Sequence, residues 1–303
     1  MMNTAATFNY NLAFSRNLGW VTEEEQTVIS GKTVAIAGMG GVGGQYAEIL
    51  TRLGVTKFHI ADFDTFEIQN FNRQNCSGMK NLHRKKVEVI REKILDINPL
   101  AEITVFSEGL NQNNISEFLQ GADLYLDGLD FFVLDIRRMV FEEAYKKEIP
   151  AVTIAPVGMG ASLVIFTKDS MSFTDHFGIK NSDSIEDSSI KFVIGLTPTL
   201  LSIKYLVDRR KSNFKEKRAP SLPMGPYLCA GIAGTEALRI LLNRTKIQGS
   251  PHVMHFDAYL HKYKKSYIWR GHKNIVQRFK FYVMKKFLNK KFIPLSTSKN
   301  SSW

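Results

Sequence analysis

Residues Gly38-Met39-Gly40-Gly41-Val42-Gly43-Gly44 constrain this chain more tightly than any other stretch. They follow Thr33 to Ala37 (TVAIA), an apolar, β-branched run that reads as a buried strand. They precede Gln45 to Leu53, which reads as a helix closed by Gly54. Glycines between a strand and a helix let the backbone turn tightly and approach a phosphate, whose charge is favoured at the N-terminus of the following helix. Gly38, Gly40, Gly41 and Gly43 are therefore candidate nucleotide contacts. Lys57 to Ala61 (KFHIA) reads as the next strand. Asp62, at its end and 19 residues beyond Gly43, can accept hydrogen bonds from ribose hydroxyls.

The rest of the chain repeats the alternation. Thr22-Glu23-Glu24-Glu25 is a capping box that opens a short helix ending near Gly31. Arg84 to Ile97 reads as a helix that stops at Asn98-Pro99. Ile103 to Phe106, Leu124 to Leu126 and Ala151 to Ile154 read as strands, with a helix from Phe131 to Lys147 between the last two. Strands alternating with helices predict an α/β fold with a doubly wound, mostly parallel sheet. Residues 167 to 192 are polar and read as a long loop or crossover. Leu196 to Arg209 and Tyr227 to Leu242 read as two more helices.

A glycine motif and an acidic strand end suit a nicotinamide-dependent dehydrogenase as well as an ATP enzyme. The residues after Asp62 separate the two. Asp62-Phe63-Asp64 leads into Asn70-Phe71-Asn72-Arg73-Gln74, and Lys86 stands twelve positions beyond Gln74. A dehydrogenase holds an intact pyrophosphate and has no use for extra cations there. Attack of a carboxylate on an α-phosphorus passes through a strongly anionic transition state and releases pyrophosphate. A forked Arg73 and a point-charge Lys86 would neutralise that charge. Asp130, just past the strand at Leu124 to Leu126, can hold Mg²⁺ beside the phosphates, with Asp127 as its competitor. Asp64 reads either as a nucleotide contact or as a structural acid, and Lys85 competes with Lys86.

The stretches GKTVAIAGMGGVGG, FHIADFDTFEIQNFNRQ, KKVEVI, DINP and DLYLDGLD resemble the ThiF/MoeB/HesA family of ubiquitin-activating-type enzymes. The resemblance is dense over about residues 31 to 156 and resumes at Gly231 to Ala237 (GIAGTEA). It implies a Rossmann-like homodimer that uses ATP and Mg²⁺ to turn a carboxylate into an acyl-adenylate. Asp62, Asp64, Asn70 and Gln74 would belong to the nucleotide site, Arg73 and Lys86 would bind phosphates, and Asp130 would bind magnesium. Arg16, in Ser15-Arg16-Asn17, resembles the arginine that the family supplies from the partner subunit. The substrate would be a peptide, a small carrier protein or a modified nucleoside, the last in relatives that dehydrate a tRNA base.

Two departures stand out. The chain lacks the paired C-x-x-C motifs with which many relatives bind zinc, and residues 167 to 195 contain no cysteine to accept a thioester. Its two cysteines, Cys76 and Cys229, fit a reduced, cytoplasmic setting. Cys76 reads as a small buried residue or a covalent acceptor, and Cys229 as packing. No signal peptide and no stretch of about 18 apolar residues is evident.

Charge divides the chain further. The +11 formal charge resides in Pro251 to Trp303, where twelve Lys and Arg face a single acid, Asp257. The expected organisation is an N-terminal helical arm (1–30), an adenylation domain (31–250) with a crossover loop near 167–195, and a basic C-terminal tail (251–303). Within the tail, Ile275, Phe279, Val283 and Phe287 recur at helical spacing, with Val276 and Tyr282 widening the apolar side. Such a helix would pack on the body or a dimer partner, lie on an anionic membrane surface, or contact RNA through about 270–291. The closing 296–303 stretch is expected to be disordered.

Overall fold

The computed structural model describes residues 7–208, 211–214 and 216–289, with the side chains of 287–289 excluded. An eight-stranded sheet runs in the order β3-β2-β1-β4-β5-β6-β7-β8. β1 (Thr33–Ala37), β2 (Lys57–Ala61), β3 (Glu102–Phe106), β4 (Leu124–Asp127) and β5 (Ala151–Val157) pair in parallel. β6 (Gly160–Phe166), β7 (His252–Asp257) and β8 (Lys262–Tyr267) extend it antiparallel. The expected α/β class and Rossmann-like winding are what the chain adopts.

Helices cover both faces: α1 (Tyr10–Ala13), α2 (Glu23–Ser30), α3 (Gly43–Arg52), α4 (Lys86–Ile97), α5 (Ile115–Phe118), α6 (Leu134–Lys146), α7 (Phe173–Phe177), α8 (Ile185–Leu196), α9 (Met224–Leu241) and α10 (Ile275–Asn289). Alternate residues of β1 point to different cores, as the pleat requires. Val34 and Ile36 join Tyr46, Leu50, Ile90 and Ala233 on the α3, α4 and α9 side. Ala35 and Ala37 face the other way, where their small side chains leave room for Phe118, Tyr125, Phe141 and Phe173. These rings meet edge-on or stacked, Phe141 and Phe173 lying 4.7 Å apart at 24°.

Three expectations need correction. Residues 167 to 192 are not one long loop, because they contain α7 and most of α8. Both helices are opened by serine caps, Ser172 accepting from the Asp175 N–H and Ser184 from that of Asp187. No helix spans Leu196 to Arg209: α8 ends at Leu196, and a 3-10 turn at Leu201–Lys204 follows Leu200, whose φ of 47° is left-handed. Arg209 itself lies outside the described residues. The boundary at 250 falls inside the sheet, since β7 and β8 continue it, and α10 is a basic helical appendage packed on α8.

Candidate active site

The strand order reverses between β1 and β4, and crevices at such switch points are where open α/β sheets bind ligands. The glycine loop sits there, fixed by contacts that forbid larger residues. Gly38 has φ +85°, and a Cβ on it would lie 2.3 Å from the Gly128 carbonyl oxygen. A Cβ on Gly43 would lie 1.7 Å from the Gly38 carbonyl oxygen. These glycines, with Gly128, let the loops after β1 and β4 touch. Gly40 and Gly41 differ: a Cβ there would meet only Gln74 at 3.5 Å and Pro226 at 3.9 Å. They form the open side of the cradle, ahead of the N-terminus of α3.

Asp62 ties this loop to the end of β2. Its Oδ2 accepts the Met39 N–H at 2.6 Å and its Oδ1 the Asp64 N–H at 2.8 Å, and each oxygen keeps a further lone pair. Burial pushes the Asp62 carboxyl above its ordinary range, against the opposing pull of Lys86. Lys86 begins α4, is almost completely buried, and places its Nζ 2.9 Å from Asp64 Oδ2. Asp64 is thus the partner of Lys86. Lys85 points elsewhere, to the carbonyls of Phe63 and Ser107 and to Glu108.

The 70–74 segment closes another side. Asn70 is buried, and its Oδ1 accepts the Glu67 N–H at 2.9 Å. Its carbonyl accepts from Arg73 N and Gln74 N, so Asn70 shapes the turn that presents both side chains. Among the described residues the Arg73 side chain donates only to the Gln69 carbonyl and Asn72 Oδ1, at 2.9 and 3.0 Å, and has no carboxylate partner. Gln74 Oε1 and Gln45 Oε1 are buried without a hydrogen-bond partner among the described residues. Gln45 Nε2 reaches the Arg73 carbonyl at 3.4 Å. Unpaired buried acceptors are costly unless a ligand donates to them.

The two aspartates beyond β4 separate cleanly. Asp127 is buried and spoken for: Arg137 Nε at 2.7 Å, Thr153 Oγ1 at 2.8 Å and the Leu129 N–H at 3.2 Å. Asp130 is exposed, and its Oδ1 accepts only the Phe132 N–H at 3.0 Å. Arg137, which sequence reasoning missed, also donates to the carbonyls of Leu129, Asp130 and Phe131. It staples the loop that carries Asp130. Its signal is tertiary, because nothing in its local pattern marks it.

Arg16 is not brought to this cluster within the chain. It is exposed on a 3-10 turn whose next residue, Asn17, donates to the Arg52 and Leu53 carbonyls. Those lie at the C-terminal end of α3, the opposite end from the glycine loop. Cys76 is half-buried at φ 62°, with burial pushing its thiol pKa up, and Cys229 is fully buried. Neither is an activated nucleophile. Among the described residues no group of three or more His, Cys, Asp or Glu is placed to hold a metal. A cavity of about 780 Å³, lined by His176, Lys191, Gln277 and Phe281 among others, lies away from this site against α10.

Comparison with known proteins gives this geometry a context. Over 150 residues the chain is 32% identical to tRNA threonylcarbamoyladenosine dehydratase of Bacillus subtilis, covering 49% of this chain and 57% of that protein. It is 27% identical over 144 residues to molybdopterin-synthase adenylyltransferase of Salmonella typhimurium, covering 48% and 57%. The chain thus spans little more than half the length of these relatives. Among solved structures, E. coli MccB with MccA-N7isoASN superposes with a TM-score of 0.65 at 15% identity, covering 89% of this chain and 75% of that one. PaaA superposes with a TM-score of 0.64 at 16% identity, covering 88% and 76%. Both likenesses are of fold. Residues 14–274, which hold every element from the arm before α2 to the turn before α10, match the ThiF family, and the chain belongs to it.

Proposed function

We propose that this chain is an ATP- and Mg²⁺-dependent adenylyltransferase that activates a carboxylate as its acyl-adenylate. The observation that supports the reading is that the segments carrying Arg73, Lys86 and Asp130 all border a glycine cradle at the sheet's switch point: Gln74 faces Gly40, Asp62 accepts the Met39 N–H beside the Asp64–Lys86 pair, and Gly128 abuts Gly38. Arg73 has no carboxylate partner among the described residues, and Asp130 faces solvent. A nicotinamide-dependent oxidoreductase leaves both without purpose.

In the proposed step a substrate carboxylate oxygen attacks the α-phosphorus of ATP. A new P–O bond forms as the bond to pyrophosphate breaks. Arg73 and Lys86 stabilise charge on the phosphate oxygens, and Asp62 holds the ribose. Gln74 and Gln45 offer their unpaired oxygens to donors on the bound nucleotide. The residues present suit magnesium, which typically takes one or two carboxylates and completes its shell with phosphates and water. Asp130 is the carboxylate that would hold it, and the ion's role is to neutralise the phosphates.

With no cysteine in 167–195 and both thiols unactivated, the acyl carbon is attacked directly by an external nucleophile or by a group of the substrate itself, AMP leaving in either case and the internal route amounting to a net dehydration. The acyl group belongs to a peptide or carrier protein. The similarity to a tRNA threonylcarbamoyladenosine dehydratase favours a second reading, activation of a carboxylate on a modified tRNA base. Arg16, whose neighbour Asn17 sits at the far end of α3 from the glycine loop, is assigned in this reading to the partner's site across a homodimer.

Two measurements test this. ATP with Mg²⁺, but not NAD⁺ or NADP⁺, should raise the melting temperature, and Arg73→Ala should weaken that shift. Substrate-dependent pyrophosphate exchange should fall about 10²- to 10³-fold in Arg73→Ala. Stabilisation by a nicotinamide cofactor alone would overturn the reading. Mixing inactive Arg16→Ala with inactive Arg73→Ala should restore part of the activity if Arg16 crosses the dimer, and none if it does not.

A further inference from the structure

The periodicity of α10 places Ile275, Val276, Phe279, Tyr282 and Val283 on one side, and that side is exposed, with Ile275 and Phe279 at its edge also lining the cavity that α10 forms with α7 and α8. Ile275 is 80%, Phe279 67% and Tyr282 62% exposed. The helix packs on α8 through its opposite side. There Gln277 is only 6% exposed, Lys280 Nζ donates to the Pro198 carbonyl at 2.7 Å, and Lys285 pairs with Asp187 at 2.8 Å. The helix therefore has two faces, one already occupied and one apolar and open. The Phe287 side chain, Lys290, Lys291 and the 296–303 stretch lie outside the described residues.

We infer that the open face of α10 docks the protein on an anionic lipid bilayer, with the helix lying in the plane of the interface. Charge selects this occupant. Arg278 and Lys286 flank or interrupt the apolar stripe, Lys273 and Arg270 precede it, and the tail from Pro251 holds a single acid, Asp257, which is itself fully buried. A second copy of the chain would bring the same cations face to face. RNA would use the aromatic rings but has no use for Ile275, Val276 and Val283, which cannot stack on bases and readily bury among acyl chains. Trp269 is exposed and anchored to the helix start by the Asn274 side chain, which donates to its carbonyl at 3.0 Å. Among the described residues no helix is long and apolar enough to cross a membrane, so contact would be peripheral.

The test is co-sedimentation of the full chain with vesicles of phosphatidylcholine containing phosphatidylglycerol, and with phosphatidylcholine alone. Binding should favour the anionic vesicles and weaken as salt rises. Phe279→Ser with Val283→Ser should weaken it about tenfold or more while leaving the melting temperature unchanged, because both side chains face solvent. Arg278→Glu with Lys286→Glu should weaken it as well. Failure to bind anionic vesicles at low salt would overturn the inference, as would unaltered binding by the serine variant. Binding to a structured RNA that the glutamate variant loses and the serine variant keeps would reassign the face to nucleic acid. Concentration-dependent dimerisation lost in the serine variant, without vesicle binding, would reassign it to a second copy.

Discussion

Lys86 Nζ lies 2.9 Å from Asp64 Oδ2, and only the lysine of this pair is buried: its side chain is 6% exposed against 50% for the aspartate. The buried ammonium is therefore held by a carboxylate that can still reorient toward solvent. Lys86→Met should reduce pyrophosphate exchange at least about 10²-fold at little cost in stability, since it removes a charge that developing phosphate charge needs. Asp64→Asn should cost about tenfold, because it loosens the ammonium without removing it. Equal losses in both variants would mean that Asp64 touches the nucleotide itself.

Asp127 and Asp130 stand three residues apart, and their substitution should fail in different ways. Asp127→Asn breaks a buried pair with Arg137 and should destabilise the fold by about 3–5 kcal/mol in urea unfolding. Asp130→Asn, at an exposed position, should leave unfolding within about 0.5 kcal/mol and abolish the Mg²⁺ dependence of ATP-induced stabilisation. A stable, Mg²⁺-insensitive Asp127→Asn protein would reverse the two assignments.

The glycines should divide in the same manner. Gly43→Ala forces a Cβ to 1.7 Å from the Gly38 carbonyl oxygen and should cost more than about 3 kcal/mol, visible as loss of folded protein. Gly41→Ala meets only Pro226 at 3.9 Å and should fold normally. Calorimetry should then show ATP affinity lowered about tenfold or more, because the methyl occupies the phosphate's approach.

His176 gives the fold an acid limit. It is buried, and a carbonyl can only accept, so Nε2 donates to the Gly195 carbonyl while Nδ1 accepts from Ser250 Oγ at 2.7 Å. Burial pushes its pKa from 6.5 down to about 4. The unfolded chain binds this proton more readily, so the contribution is full above pH 6.5 and is lost as pH falls toward 4. The loss is on the order of 3 kcal/mol. Urea midpoints of the wild type should fall through that window and those of His176→Gln should fall less. Parallel curves would show that other groups set the acid limit.

The parallel half of the sheet was readable from sequence because its signals are local. TVAIA, the glycines after it and Asp62 follow one another within one strand-turn-helix-strand passage, and each residue's role depends on near neighbours. The antiparallel half was harder. Gly160 to Phe166 (GASLVIF) is wholly buried and so lacks the alternation that marks a half-exposed strand. Ser184-Ile185-Glu186-Asp187 carries a helix start that polar composition disguised as loop. In α10 the spacing of apolar residues was visible, but periodicity cannot say whether an apolar face is covered by the body or left open, and the Phe279 side is the exposed one. The sharing of labour between Asp64, Asp127, Arg137 and Asp130 depends on distances that no spacing along the chain encodes.

At the far end of the sheet, β8 reads Lys262-Tyr263-Lys264-Lys265-Ser266-Tyr267 and pairs, among the described residues, only with β7. Its outer rim is a row of peptide groups with no strand beyond them among the described residues, the kind of surface on which β-rich chains polymerise. Three lysines in six residues make that rim repel its own likeness. Edge-to-edge growth of this protein should be suppressed at low ionic strength and should return as salt or polyanions mask the lysines. The conditions that best relieve charge repulsion elsewhere in so basic a chain are therefore those in which its solubility is most at risk.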